Sequence, residues 1–132
     1  MLSEQAKKIV GDYEFLTRVI HGITDGITHA ESIMQLPFDT NCMNWVMGHI
    51  VTNRSHVLEV VNAAHTWKDE VRAMYHTGTA PIKPGSHAFQ FEKLLTYLDE
   101  SVELLKAALE NVSAERLAEN LTIGAKRLGR HT

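Results

Sequence analysis

One cysteine, three prolines and no surplus of basic residues mark this 132-residue chain. With Cys42 alone, an intramolecular disulfide is impossible, which suits a reducing compartment, so the cytoplasm is the expected location. Thirteen Lys and Arg stand against sixteen Asp and Glu, a formal net charge of −3. That balance lacks the basic face a phosphate backbone requires, so nucleic acid is not an expected partner. The most basic stretch, Lys126 to Arg130, is short and reads as solvated chain. No apolar run approaches the ~20 residues of a membrane span, and Met1 to Lys8 carry no secretion-signal core. Internal repeats, low-complexity tracts and long alternating runs are also missing. So are the GxSxG, glycine-rich phosphate-loop and HExxH patterns, which removes three common catalytic designs.

What is present is helical periodicity. Ser3 is a good N-cap with Glu4 behind it, and Ile9, Tyr13, Leu16, Ile20 and Ile23 then recur at helix spacing toward a stop at Gly26. Residues 27 to 41 read as a connection, with Leu36 extended ahead of Pro37. A second helix is expected from near Asn41 to near His65, its stripe Met43, Val46, Met47, Ile50, Val57, Leu58, Val61 and Ala64. Residues 67 to 85 read as irregular, with a short turn over 70 to 75. Ser86 is the expected N-cap of a third helix carrying Phe91, Leu94, Leu95, Leu98, Val102, Leu105 and Leu109, ended by Asn111. A short helix over 113 to 118 precedes a glycine-containing connector, 119 to 132. The expectation is a single all-α domain over 1–132, an up-down bundle with three long helices. Because the connector ends on Thr132, a cap-type residue, the bundle is expected to be C-terminally incomplete. The missing fourth helix would leave a groove lined by Val46, Ile50 and Leu98.

Eight histidines are a high count for this length: His21, His29, His49, His56, His65, His76, His87 and His131. Helical chelates use ligands three or four residues apart, and no two histidines have that spacing. His49 and His56 share a face but lie two turns, about 10.5 Å, apart. Two mixed pairs do have chelate spacing, His56 with Glu59 and His65 with Asp69, and both read as ordinary surface pairs. Asp99 and Glu100 likewise read as solvation. Cys42, close to a helix start, reads as a buried structural thiol rather than a nucleophile. His49 is distinguished by its neighbours: Trp45 one turn before, Asn53 one turn after, and Gly48 beside it at a helix-propensity cost of about 1 kcal/mol. A glycine there marks the close approach of another group. On spacing alone, a hydrogen-bonded core histidine remains the favoured assignment.

The run Asn44-Trp45-Val46-Met47-Gly48-His49-Ile50-Val51, followed by Asn53-Arg54, resembles the DinB-like superfamily, whose second helix typically carries Gly-His-Ile or Gly-His-Leu after an apolar-aromatic stretch. The loop from Tyr75 to Ile82 and the long third helix also resemble that family, so the resemblance covers nearly the whole chain. It implies a four-helix bundle of DinB-like type holding a divalent metal on three histidines. His49 matches the ligand from helix two. The other two come from an H-x-x-x-H pair on the fourth helix, which this chain lacks; His131 matches neither. They are expected beyond Thr132, with nickel, zinc or iron absent or weakly held in these 132 residues.

The resemblance further implies a metal-dependent enzyme. The reaction would be a transferase using a low-molecular-weight thiol on a small electrophile, or a hydrolase if water takes the open coordination position. Asn53 is then a candidate cofactor- or substrate-binding group, or a group that supports the metal ligand His49 from behind. The family name refers to damage-inducible expression. The alternative is a non-catalytic helical bundle acting in stress response or in interactions. A homodimer is expected on general grounds, since two-fold dimers are the commonest assembly.

Overall fold

A computed structural model of the chain describes residues 1–35, 40–82 and 87–128, with Arg127 and Leu128 described by backbone alone. Among the described residues the chain is all-helical, with no strand: α1 (Glu4–Thr24), α2 (His29–Ser32), α3 (Met43–Val60), α4 (Asp69–Arg72), α5 (Phe91–Leu109) and α6 (Ala114–Leu128). None of these helices is long and apolar enough to cross a membrane. The expectations at Leu36, Pro37, Pro84, Gly85, Ser86 and His131 lie outside the described residues.

Local chemistry sets most of the helix ends. The Ser3 hydroxyl accepts the Ala6 N–H at 3.2 Å, opening α1. At its far end Gly26 takes φ +78° and reverses the chain. Thr28 and Glu31 form a reciprocal capping box on α2. Cys42 is the N-cap of α3 but makes no side-chain cap bond. That helix ends at Val60, short of the expected His65, because Asn62 turns the chain in the left-handed region at φ 59°. Among the described residues of the irregular segment, only α4 is regular. The α5 stripe holds as expected, with Phe91, Leu94, Leu98, Val102, Leu105 and Leu109 all buried.

The largest departure is α6. A short helix and a connector were expected after residue 113, and instead one fifteen-residue helix runs from Ala114 to Leu128. Ser113 caps it by accepting the Arg116 N–H at 3.2 Å. Gly124, which the sequence places in the expected connector, lies inside the helix. A Cβ there would meet Val60 Cγ1 at 2.4 Å, so the glycine is a packing contact whose gain outweighs its low propensity. Among the described residues there are thus four helices of fifteen residues or more, not three.

These four pack in the cyclic order α1, α5, α3, α6, each against the next. Two apolar clusters fill the interior. The upper one contains Met47, Val51, Trp67, Tyr75, Phe91, Leu94 and Leu98. The lower one contains Ala6, Val10, Leu58, Leu105, Leu109 and Leu117. Of the residues expected to line an open groove, Leu98 is fully buried, Ile50 is half-buried and Val46 is exposed. The α1 stripe is also revised. Its buried residues are Ala6, Val10, Thr17 and Thr24, whereas Leu16 and Ile23 are 49% and 63% exposed. The second half of α1 is apolar on both sides, so periodicity alone does not select the inner face.

The selecting group is Arg54. It lies in register between the two clusters, 6% exposed, reaching from α3 toward α1 and α5. Its Nη1 lies 2.8 Å from Thr17 Oγ1, 3.0 Å from Ser101 Oγ and 3.2 Å from the Leu98 carbonyl oxygen. The guanidinium also sits over the Tyr13 ring at 4.7 Å. Burial pulls its pKa below the usual guanidinium range, partly offset by Tyr13 and Asp99. A cation placed here needs acceptors, which is why α1 turns Thr17 inward rather than Leu16. Arg54→Ala should therefore lower stability by about 2–4 kcal/mol, through the cavity and the orphaned hydroxyls. Urea unfolding at neutral pH measures this, and a change below about 0.5 kcal/mol would show that Arg54 is energetically idle.

Candidate functional site

The site grows from one close contact. Tyr75, on the segment after α4, inserts its ring against α3 at the position where Gly48 has no side chain. A Cβ on Gly48 would lie 2.2 Å from Tyr75 Cδ1, closer than any real carbon pair tolerates. The ring is fully buried, and its hydroxyl donates to Asn44 Oδ1 at 2.8 Å while accepting the Phe89 N–H at 3.0 Å. Asn44 Nδ2 in turn donates to the Phe89 carbonyl at 2.9 Å. Three buried polar groups thereby satisfy one another and tie α3 to the segment entering α5.

This anchoring fixes the Tyr75 backbone above His49. His49 Nδ1 lies 2.8 Å from the Tyr75 carbonyl oxygen. A carbonyl only accepts, so Nδ1 carries the proton, and the neutral ring keeps its lone pair on Nε2. Asn53 Nδ2 approaches that nitrogen at 3.4 Å. The Trp45 ring stacks on the imidazole, centroids 4.7 Å apart and planes within 11°. Trp45 is itself held, its indole N–H donating to Thr79 Oγ1 at 2.9 Å. The Thr79 hydroxyl lies 2.8 Å from the His76 carbonyl oxygen, to which it donates. His49 is consequently half-buried and oriented from three sides. It faces neither the apolar interior nor open solvent. His49, Asn53, His56 and Val60 follow one flank of α3 at i, i+4, i+7 and i+11, and Val60 is where α6 packs through Gly124.

The other sequence candidates fall elsewhere. His56 stacks on His76 with centroids 5.5 Å apart, and its Nδ1 is 4.0 Å from Glu59 Oε2. His65 does not pair with Asp69. Its Nε2 donates to Glu59 Oε1 at 2.9 Å, and its Nδ1 accepts the Trp67 N–H at 3.1 Å. Arg72 bonds both Glu59 and Asp69; burial pushes the Glu59 carboxyl up, but the bonds from His65 and then Arg72 hold it below the usual carboxylate range, and the Arg72 bond holds Asp69 there too. Asp99 is not simple solvation, since it meets His21 Nε2 at 2.5 Å and links α5 to α1. Cys42 is buried, as expected of a structural thiol. On the opposite side of α3 from His49 lies a small, half-open pocket lined by Val51, Ser55, Trp67, Tyr97 and Ser101. It is largely apolar and contains neither His49 nor Asn53.

Among the described residues, no three His, Cys, Asp or Glu side chains converge well enough to hold a metal ion. His49 itself fits a ligand's role, with one ring nitrogen spent on a carbonyl and the other presenting a lone pair. Tyr75 and Thr79, the groups that orient His49 and Trp45, were missed from the sequence because both come from the segment read as irregular. Gly48 was the available signal, and it marks Tyr75's approach. No protein-family model, curated protein or solved structure matches the chain.

Two consequences can be measured. Gly48→Ala gains about 1 kcal/mol of helix propensity but forces Tyr75 out, and the net loss should be about 1–3 kcal/mol. A lowered thermal midpoint is expected, and a raised one would mean that the ring yields freely. Burial also pushes the Tyr75 hydroxyl from 10.0 to about 12. The folded protein then holds this proton more tightly than the unfolded chain. Its contribution is complete below pH 10 and lost as pH rises from 10 toward 12. Unfolding free energies measured across pH 9–12 should fall in that window, and less steeply in Tyr75→Phe.

Proposed function

We propose that this chain is a DinB-like protein, its α1, α3, α5 and α6 forming a four-helix bundle of that type, and that His49 is a ligand to a divalent metal. The observation that carries this reading is the bond from His49 Nδ1 to the Tyr75 carbonyl. It fixes the tautomer and orientation that metal-ligating histidines have, leaving Nε2 as the electron-pair donor. Further support comes from the flank: His49 lies on the side of α3 that packs against α6. α6 takes the fourth helix's place but carries no histidine, so the ligand pair that the resemblance implies is not on it. Those two ligands would lie outside the described residues.

Nickel, zinc or iron suits an imidazole donor, and such an ion would lower the pKa of a bound thiol or water. The proposed reaction is transfer of a low-molecular-weight thiol to a small electrophile. Asn53, one turn beyond His49, would direct its amide toward the same space and orient the substrate.

One observation favours a second reading. His49 is fully accounted for as a structural clamp, with a carbonyl, an amide and an indole all engaged. Under that reading the protein is a non-catalytic helical bundle acting in stress response or in interactions, and His49 simply pins the Tyr75 segment.

The two readings part on one substitution. His49→Ala in the full-length protein should lower metal content after dialysis at least tenfold, with the helical circular-dichroism signal nearly unchanged. Metal content that does not respond removes His49 from the metal site. A large loss of thermal stability without any metal change supports the clamp.

A further inference from the structure

The turn between α3 and α4 is tied down by one imidazole. His65 donates from Nε2 to Glu59 Oε1 at 2.9 Å, and its Nδ1 accepts the Trp67 backbone N–H at 3.1 Å. A backbone N–H only donates and an ionised carboxylate only accepts, so this pair of bonds requires the neutral ring with its proton on Nε2. Trp67 is the residue that the turn delivers to the core. It is 3% exposed, its indole N–H donates to Thr52 Oγ1 at 3.1 Å, and its ring meets Tyr97 and Phe89 edge-on. Charged and titratable groups stand near the imidazole on three helices. On α3 they are Glu59 and His56, the latter 4.0 Å from the other Glu59 oxygen and stacked on His76. On α4 Arg72 bonds the same Glu59 oxygen as His65 and also bonds Asp69. On α5 Glu100 lines the small pocket that His65 borders. A proton arriving at Nδ1 is attracted by these carboxylates but meets the Trp67 N–H head-on.

We propose that His65 is a proton-operated latch: the neutral ring holds the Trp67 backbone, and protonation at Nδ1 releases it. A proton on Nδ1 sets two N–H groups facing one another where a hydrogen bond stood, and they repel. The same proton strengthens the bond from Nε2 to Glu59, because a charged donor binds a carboxylate more strongly. The ring therefore stays with Glu59 and lets go of the Trp67 N–H. The indole remains anchored through Thr52, Tyr97 and Phe89, so release frees the backbone of the turn while the helices stay folded. Thr66 and Trp67 form one wall of the small pocket, facing Tyr97 and Leu104 of α5, and that wall loosens when the latch opens. Imidazoles as a class change charge between pH 5 and 8, which sets the range over which the latch is tested.

Amide hydrogen exchange of the full chain, read by NMR at the two ends of that range, is the test. After correction for the intrinsic effect of pH, protection of the Trp67 amide should fall at least tenfold in acid, in step with the His65 ring resonances. At the alkaline end those resonances should report the tautomer protonated at Nε2. His65→Asn supplies an oxygen that accepts the N–H two residues on and does not titrate, so its Trp67 protection should be the same at both ends. His56→Gln should leave the acid-induced loss in place, which separates His65 from the neighbouring pair of His56 and His76. The opposite tautomer overturns the proposal. So does Trp67 protection that is indifferent to pH, that falls equally in His65→Asn, or that depends on His56 instead. Should His65→Asn lose its helical signal, the wild-type tautomer and the coupling between ring and amide still decide.

Discussion

Everything near His49 depends on a ring meeting a backbone. Tyr75 approaches α3 as closely as an aromatic side chain can, because Gly48 offers no Cβ. Dispersion falls steeply with separation, so a planar ring laid directly on a helix backbone gains contacts that any side chain between them would forfeit. That contact brings the Tyr75 hydroxyl within reach of Asn44 and its carbonyl within reach of His49. The described residues between α4 and α5 form neither helix nor strand, and these anchors hold the chain at Tyr75 and Phe89. Glycine and histidine are adjacent in the sequence for one reason: the first admits the residue that orients the second.

Arg54 plays a comparable part lower in the molecule. A buried guanidinium demands acceptors, and Thr17, Ser101 and the Leu98 carbonyl provide them from two other helices. These are directional bonds, whereas the clusters above and below are apolar and tolerate sliding. The cation therefore sets the rotation of α1 and the register of α3 against α5. It also leaves α1 with an apolar outer face, because the residues able to satisfy it are the small polar ones turned inward.

Much of this organisation was legible in the sequence. The α5 stripe announced a buried face, and its predicted core positions are buried apart from the half-buried Leu95. Gly48 and His49 stood out as a position under constraint. Three things stayed hidden, for different physical reasons. On α1 two apolar faces compete, and the choice is made by Arg54, thirty residues or more away along the chain. On α6 the glycine at 124 read as part of a connector, since propensity is a local quantity and the Val60 contact that rewards it is not. The partners of His49 were illegible because an irregular segment carries no period from which to place Tyr75 or Thr79.

The stacking of Trp45 on His49 has an optical consequence. An indole in face contact with an imidazole is sensitive to any displacement of that ring. Trp67, the other tryptophan, is buried, its N–H bonded to Thr52, and its emission belongs to the core. The two chromophores therefore separate by environment. The redder, more exposed component belongs to Trp45, so its emission reports on the contact between that ring and His49.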